Sequence, residues 1–189
     1  VEVLCHYGSC DEVLELDGGQ VLDFVHIFAN EVFMGSPEAE VGRYSSETPF
    51  LSSLSHDFMV LTTEVTQGMY ESFHEGPVFS ETFGMGDAFP AYNISWTQGA
   101  YFANLITQAH NEQKEAGLEQ CYECSGDESP ICIPVHTTPY LCSGFRYPTD
   151  AEWTLMARAG TQSAFVTAGG GAELIQDQEE SCDSSTELS

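Results

Sequence analysis

The stretch Phe145-Arg146-Tyr147-Pro148-Thr149-Asp150-Ala151-Glu152-Trp153-Thr154-Leu155-Met156-Ala157-Arg158-Ala159-Gly160 decides how the rest of the chain is read. It predicts a helix that starts at Thr149. The Thr149 hydroxyl, placed just after Pro148, can cap the first turn. Glu152, three residues on, can reach back to the capping residue and complete a Thr-x-x-Glu capping box. Trp153 and Met156 give the helix an apolar face, Arg158 puts a cation in its last turn, and Gly160 offers the stop. A second box, Ser95-x-x-Gln98, opens the longest predicted helix. Trp96, Ala100, Phe102, Ala103, Leu105, Ile106 and Ala109 recur there at helical spacing, so this helix is expected to dock on a sheet. Its pattern fades after Asn111 and stops at Gly117.

Leu22 to Ile27 and Glu31 to Met34 read as two short strands joined by a turn, and Phe50 to Leu54 and Phe58 to Val65 as two more. Thr66 to Phe73 reads as a short helix and residues 75–90 as a loop rich in Gly, Phe and Pro. The organisation expected is an acidic N-terminal arm over 1–22, a folded domain over 23–161 with a Cys-rich insertion at 118–144, and a Gly/Ser/acid-rich tail over 162–189. At 189 residues the chain can bury one ordinary core.

Thirty acids face one lysine (Lys114) and three arginines (Arg43, Arg146, Arg158), a net charge of −26. Phosphate backbones would be repelled, so nucleic acid is excluded as a partner and anionic membranes are poor ones. No apolar run reaches the ~20 residues of a membrane helix, so no membrane insertion is expected. The first residues lack the basic and apolar runs of a signal peptide, as in a processed or excised chain. The acidity suits solubility in a salty or extracellular setting. Divalent-cation binding and a basic partner are the alternatives, and the absence of an Asp-x-Asp-x-Asp-Gly loop favours solubility. With so few cations, each arginine is expected to be committed to a specific acid or carbonyl.

Seven cysteines are many for this length. Cys121, Cys124, Cys132 and Cys142 cluster, Cys5 and Cys10 bracket the N-terminus, and Cys182 stands apart. The cluster could hold zinc, but its spacings match no common ribbon, and the polar, turn-rich Ser125–Pro130 segment reads as a stapled surface loop. Disulfides are therefore expected, with Cys5 and Cys10 as further candidates. The four clustered cysteines allow three pairings, between which the sequence does not choose, and the one favoured nests Cys124–Cys132 inside Cys121–Cys142. Disulfides place the protein outside a reducing cytoplasm, in an extracellular or periplasmic setting. Asp127 and Glu128 are weak calcium candidates, beside Asp11, Glu12 and Asp17, and solvated acids are the plainer account of all five. The six histidines form no helical His-x-x-x-His pair and read as ordinary residues, with His26 as a candidate for burial against backbone. No Ser-His-Asp set is marked by a nucleophile motif, so no catalytic residue is assigned.

Four co-linear blocks carry a family resemblance. They are Phe33-Met-Gly-Ser36 with Val41-Gly-Arg43 and Glu47-Thr-Pro49; Phe58-Met59 through Glu64-Val-Thr66 with Tyr70 and Phe73; Ala91-Tyr-Asn-Ile-Ser-Trp96 with Ala100; and Arg146 to Gly160. The last resembles the Arg-Leu-Pro-Thr-Glu-Ala-Glu-Trp-Glu signature of the formylglycine-generating-enzyme, or sulfatase-modifying-factor, family. Tyr147 replaces Leu, Asp150 replaces Glu, Thr154-Leu-Met replaces Glu-Tyr-Ala, and Phe50 stands where His is frequent. The resemblance implies an irregular α+β fold related to C-type lectins and incomplete at its C-terminus. It implies a copper-dependent oxidase that converts a substrate cysteine through a pair of thiolates. That cysteine pair, the calcium ligands and the Gly-Leu-x-Asp-Met-x-Gly-Asn-Val-x-Glu-Trp segment fall in a part of the family's domain with no match here.

Copper is therefore not expected in this chain, although soft thiolates at Cys121 and Cys124 would suit it. Ser95, Thr149 and Glu152 are expected to serve as caps, Arg146 to bond backbone or an acid, and Trp96 and Trp153 to sit in the core. The resulting expectation is an exported, bacterial-type binding or structural module that self-associates or joins a protein partner in an extracellular assembly. The alternative is the oxidase, with its catalytic half elsewhere.

Overall fold

Alternating apolar residues build the first sheet of the computed structural model, which describes residues 12–38, 40, 42–73, 79–126 and 131–161. Strand β1 (Glu12–Glu15) turns inward only Leu14, and β2 (Val21–Ile27) turns inward Leu22 and Phe24. Both pairings of β2 are antiparallel, to β1 with Leu14 opposite Leu22 and to β5 (Phe58–Leu61) with Ile27 opposite Phe58. The sheet order is β1-β2-β5. The sequence reading leaves β1 inside the acidic lead-in, because a single inward Leu among glutamates carries no visible period. It also runs β5 on to Val65, but the strand ends at Leu61 before the turn into the next helix.

Strands β3 (Glu31–Met34) and β4 (Phe50–Ser53) form their own antiparallel pair, so β2 and β3 are neighbours in sequence that belong to different sheets. Strands β6 (Tyr122–Ser125) and β7 (Ile131–Pro134) make a third small sheet inside the Cys-rich segment. Three helices complete the α+β architecture: α1 (Gln67–Glu71), α2 (Trp96–Lys114) and α3 (Asp150–Arg158). All three open on a capping box, at Thr66 with Met69, Ser95 with Gln98, and Thr149 with Glu152.

Two compact units result. The first comprises, among the described residues, those of 12–28 and 56–147, and its core runs along α2. Phe102 and Ile106 pack with Leu14, Leu22, Phe24 and Tyr70, while Ala100 and Ala103 pack with Cys121, Tyr122 and Cys132. The predicted docking of this helix on a sheet is what the structure has, but its buried face also carries Asn104, Thr107 and His110. Gln67, 2% exposed, ties down the loop that follows α1. Its Nε2 donates to the carbonyls of Gly84 (3.1 Å) and Pro90 (3.2 Å), and its Oε1 accepts from Gly86 N (3.0 Å). Among the described residues the second unit comprises those of 29–55 and 148–161, and within it α3 packs on β3.

Helix α2 ends at Lys114, three residues before the glycine that the sequence suggests, with the capping residue Glu115 in the left-handed conformation (φ 50°). A side chain is strained there, and a negative charge opposes the helix dipole at this end. Glu115→Gly is expected to stabilise the protein by about 1 kcal/mol. A urea midpoint that does not rise would contradict this reading of the cap.

Candidate functional site

Gly99, in the first turn of α2, creates a notch. A Cβ placed there would lie 1.7 Å from the Tyr147 hydroxyl, so only glycine lets that ring settle against the helix. Tyr147 then stacks on Trp96, with ring centroids 5.9 Å apart and planes within 20°, and its hydroxyl reaches Trp96 O at 3.4 Å. Tyr122 completes the group, meeting Trp96 edge-on at 5.6 Å and accepting a hydrogen bond on its hydroxyl from Tyr147 N at 3.0 Å. Tyr122 is buried, but Trp96 is 49% and Tyr147 38% exposed. The outcome is a stacked indole–phenol surface facing solvent on a rigid base.

Two devices make that base rigid. Asn104, buried on α2, acts as a backbone mimic for β6: its Nδ2 donates to Tyr122 O at 2.6 Å and its Oδ1 accepts from Tyr122 N at 3.3 Å. Two disulfides staple the same segment, Cys121–Cys142 with Cα atoms 5.6 Å apart and Cys124–Cys132 at 4.1 Å, the latter joining residues directly opposed in the β6–β7 ladder. This is the nested pairing. Thr107 Oγ1 donates to Ala103 O (2.9 Å) and accepts from Phe145 N (3.0 Å), delivering the chain to Arg146 and Tyr147.

Arg146 donates to Tyr147 O at 3.0 Å and lies 5.6 Å from the centre of the Tyr140 ring, on which His56 stacks at 5.1 Å. Arg43 donates to Glu47 O at 3.2 Å. Both arginines thus serve carbonyls. Ser95 caps α2, its hydroxyl accepting from Gln98 N at 3.2 Å. In the second unit Thr149 caps α3, and Glu152, 1% exposed, accepts from Thr149 N at 2.7 Å.

The tryptophans depart from expectation. Trp96 is the first residue of α2, where the chain has not yet entered the core, and its indole lies across tyrosines instead. Trp153 is 61% exposed because the inward position of α3 belongs to Glu152, and the next residue points ~100° away around the helix. Two histidines also depart. His110 is buried on α2, with Nε2 2.6 Å from Glu12 Oε1, and His26 faces Asp57 at 3.6 Å rather than backbone. Cys5, Cys10, Cys182, Asp127 and Glu128 lie outside the described residues.

Burial raises the phenol of Tyr122 above its usual value near 10, partly offset by the Tyr147 N–H and by the Arg146 charge. Tyr147 rises for the same reason, reinforced by Tyr122, and Tyr70 rises by burial and then by Tyr147. In the unfolded chain these phenols ionise first, so above about pH 10 the unfolded state holds fewer protons and stability falls as pH rises. The expected result is an alkaline unfolding transition coinciding with the late tyrosinate absorbance. A titration complete near pH 10 in the still-folded protein would contradict it.

The chain belongs to the family of the sulfatase-modifying factor enzyme 1-like domain, whose model matches residues 12–186. No curated protein and no solved structure shows significant similarity to it.

The copper site of such an oxidase needs two free thiolates side by side. Cys121 and Cys124 do not fit, because each is bonded to a different distant cysteine. Among the described residues no three His, Cys, Asp or Glu side chains converge as metal ligands, and no helix is long and apolar enough to cross a membrane. Two disulfides are the chemistry of an oxidising compartment. What the aromatic surface can do is stack: an exposed indole with a phenol beside it accepts planar, apolar or cationic groups. Gly99, Asn104, Tyr122 and Tyr147 were not legible as its parts. The available signal was Tyr147 in place of the family's Leu.

Proposed function

We propose that this chain is a non-catalytic binding or structural module of an exported protein, extracellular or periplasmic, and that Trp96 and Tyr147 face its partner. The supporting observation is the fate of the cysteines. All four that are described are spent in two disulfides that brace the aromatic surface. Four sulfurs bonded across a braced hairpin support presentation of a surface over thiolate chemistry at these positions. Kinship with C-type lectins belongs to the same reading, as does self-association or assembly with a protein partner. The domain boundary is drawn before β1, because Leu14 and Leu22 are core residues of its first sheet. Calcium at Asp127 and Glu128 is a subsidiary part of it.

The second reading is a copper-dependent formylglycine-generating oxidase, favoured by membership of the family itself. Oxygen uptake by the chain loaded with Cu(I), measured with a cysteine-containing peptide, separates the two. Uptake no faster than that of copper alone is expected, and catalytic turnover would overturn the binding-module reading. Sedimentation with and without reductant tests the assembly; a monomer in both conditions would remove it.

A further inference from the structure

We infer that the segment from Ser80 to Pro90 carries a recognition knob, Phe83 with Met85, which enters an apolar pocket rimmed by lysine or arginine on a partner protein. The knob belongs to the first unit and is separate from the Trp96–Tyr147 surface. Phe83 is 75% exposed, more than any other large apolar side chain among the described residues, and Met85 is 54% exposed. The Phe83 ring meets Tyr92 edge-on, with centroids 6.0 Å apart. Scattered apolar side chains on a surface are ordinary. What sets these two apart is the backbone that carries them.

The buried Gln67 side chain bonds Gly84 O and Gly86 N, on either side of Met85, and Pro90 O beyond. Main-chain bonds add Gln67 N to Phe89 O at 2.8 Å, Gly68 N to Asp87 O at 3.1 Å and Phe89 N to Gly86 O at 2.9 Å. Glu81–Phe83 form a single 3₁₀ turn, with Phe83 N on Ser80 O at 3.0 Å. Gly84 (φ 93°) leaves room for the Phe89 ring, which a Cβ there would meet at 2.5 Å. Helix α1 thus orders a segment whose own tip stays in water. Ordering does nothing to bury Phe83 within this chain. It lowers the entropy lost when Phe83 is buried elsewhere, the property of an aromatic anchor at an interface.

Charge selects the occupant. Residues 79–92 contain two acids, Glu81 and Asp87, both exposed, and no lysine or arginine. A second copy is a poor match, because it brings the same net charge of −26, and two of its three arginines are engaged on carbonyls. A phospholipid surface sets its phosphates against the same carboxylates. A protein pocket that is apolar inside and cationic at its rim removes Phe83 from water and faces both acids with opposite charge.

The probe is aminated β-cyclodextrin, an apolar cavity ringed by ammonium groups, compared with neutral β-cyclodextrin and with phosphatidylcholine vesicles. The Met85 methyl resonance, assigned through Met85→Leu, is followed as each is added to the full chain. Physiological ionic strength suppresses general attraction of the amines to the acidic surface. A saturating shift with the aminated ring is expected, at least about tenfold tighter than with the neutral ring. Phe83→Ser, at a position too exposed to support the fold, should abolish it. Glu81→Gln with Asp87→Asn should bring the two rings within about threefold of each other. The charge-matched pair Glu31→Gln with Glu123→Gln should keep them apart, and Trp96→Ala should leave the response intact. No saturating shift, equal affinity for the neutral ring, or a response that survives Phe83→Ser would overturn the proposal. So would a shift produced by the vesicles and not by the aminated ring, which would assign the tip to a lipid surface.

Discussion

Replacing Cys121 and Cys142 together by alanine is expected to lower the unfolding free energy by about 3 kcal/mol, the larger loss of the two disulfides among the described residues. The two residues are 21 apart, so without the bond the unfolded chain regains the freedom of a loop of that length. Cys124 and Cys132 are only 8 apart and already opposed in a β-ladder. Their removal is expected to cost less, about 2.5 kcal/mol. The longer bond also encloses much of the site's support. Tyr122, His136 (paired with Glu119 at 2.8 Å) and Tyr140 beside Arg146 lie between its ends. Urea unfolding of the two pairwise variants decides it. A loss below about 1 kcal/mol for the longer bond, or a greater loss for the shorter, would show that the hairpin is held by something other than chain closure.

Asn104→Ala is the second large effect, with an expected loss of about 3 kcal/mol. The side-chain amide satisfies both the N–H and the carbonyl of Tyr122 inside a buried cluster, and truncation strands both groups away from water. Asn104→Asp separates polarity from volume. A carboxylate can still accept from Tyr122 N but must face Tyr122 O at the distance of a former hydrogen bond, so its loss should equal or exceed that of alanine. Lowering the pH protonates the new acid, gives it a donor and should recover part of the stability. An aspartate variant as stable as the wild type at neutral pH would mean that the amide pairing contributes nothing. Tyr147 depends on Tyr122, so both variants should also change Trp96 fluorescence.

Local chemistry made half of this protein legible. Capping boxes at Ser95 and Thr149 are written in adjacent residues, and both helices start where those residues put them. That the clustered cysteines form disulfides was readable from the polar turn residues between them; which pairs with which was not, because four cysteines allow three pairings. The aromatic surface was not, because it is assembled across a gap of fifty residues. Trp96 and Tyr147 meet only because Gly99 has no side chain, and a glycine in a helix announces nothing about what fills the space it leaves. Both tryptophans suggested a core position by residue type, yet position on the helix decided otherwise. Strand β1 shows the same limit: Leu14 is fully buried among glutamates, a pattern too short for periodicity to reveal.

Peptide mass mapping of the unreduced protein tests most directly whether this member of the family uses its clustered cysteines as staples. The structure predicts one cross-linked fragment containing Cys121 and Cys142 and another containing Cys124 and Cys132, with no free thiol at any of the four. Alkylatable thiols at Cys121 and Cys124 in the folded protein would contradict it and return the oxidase to first place.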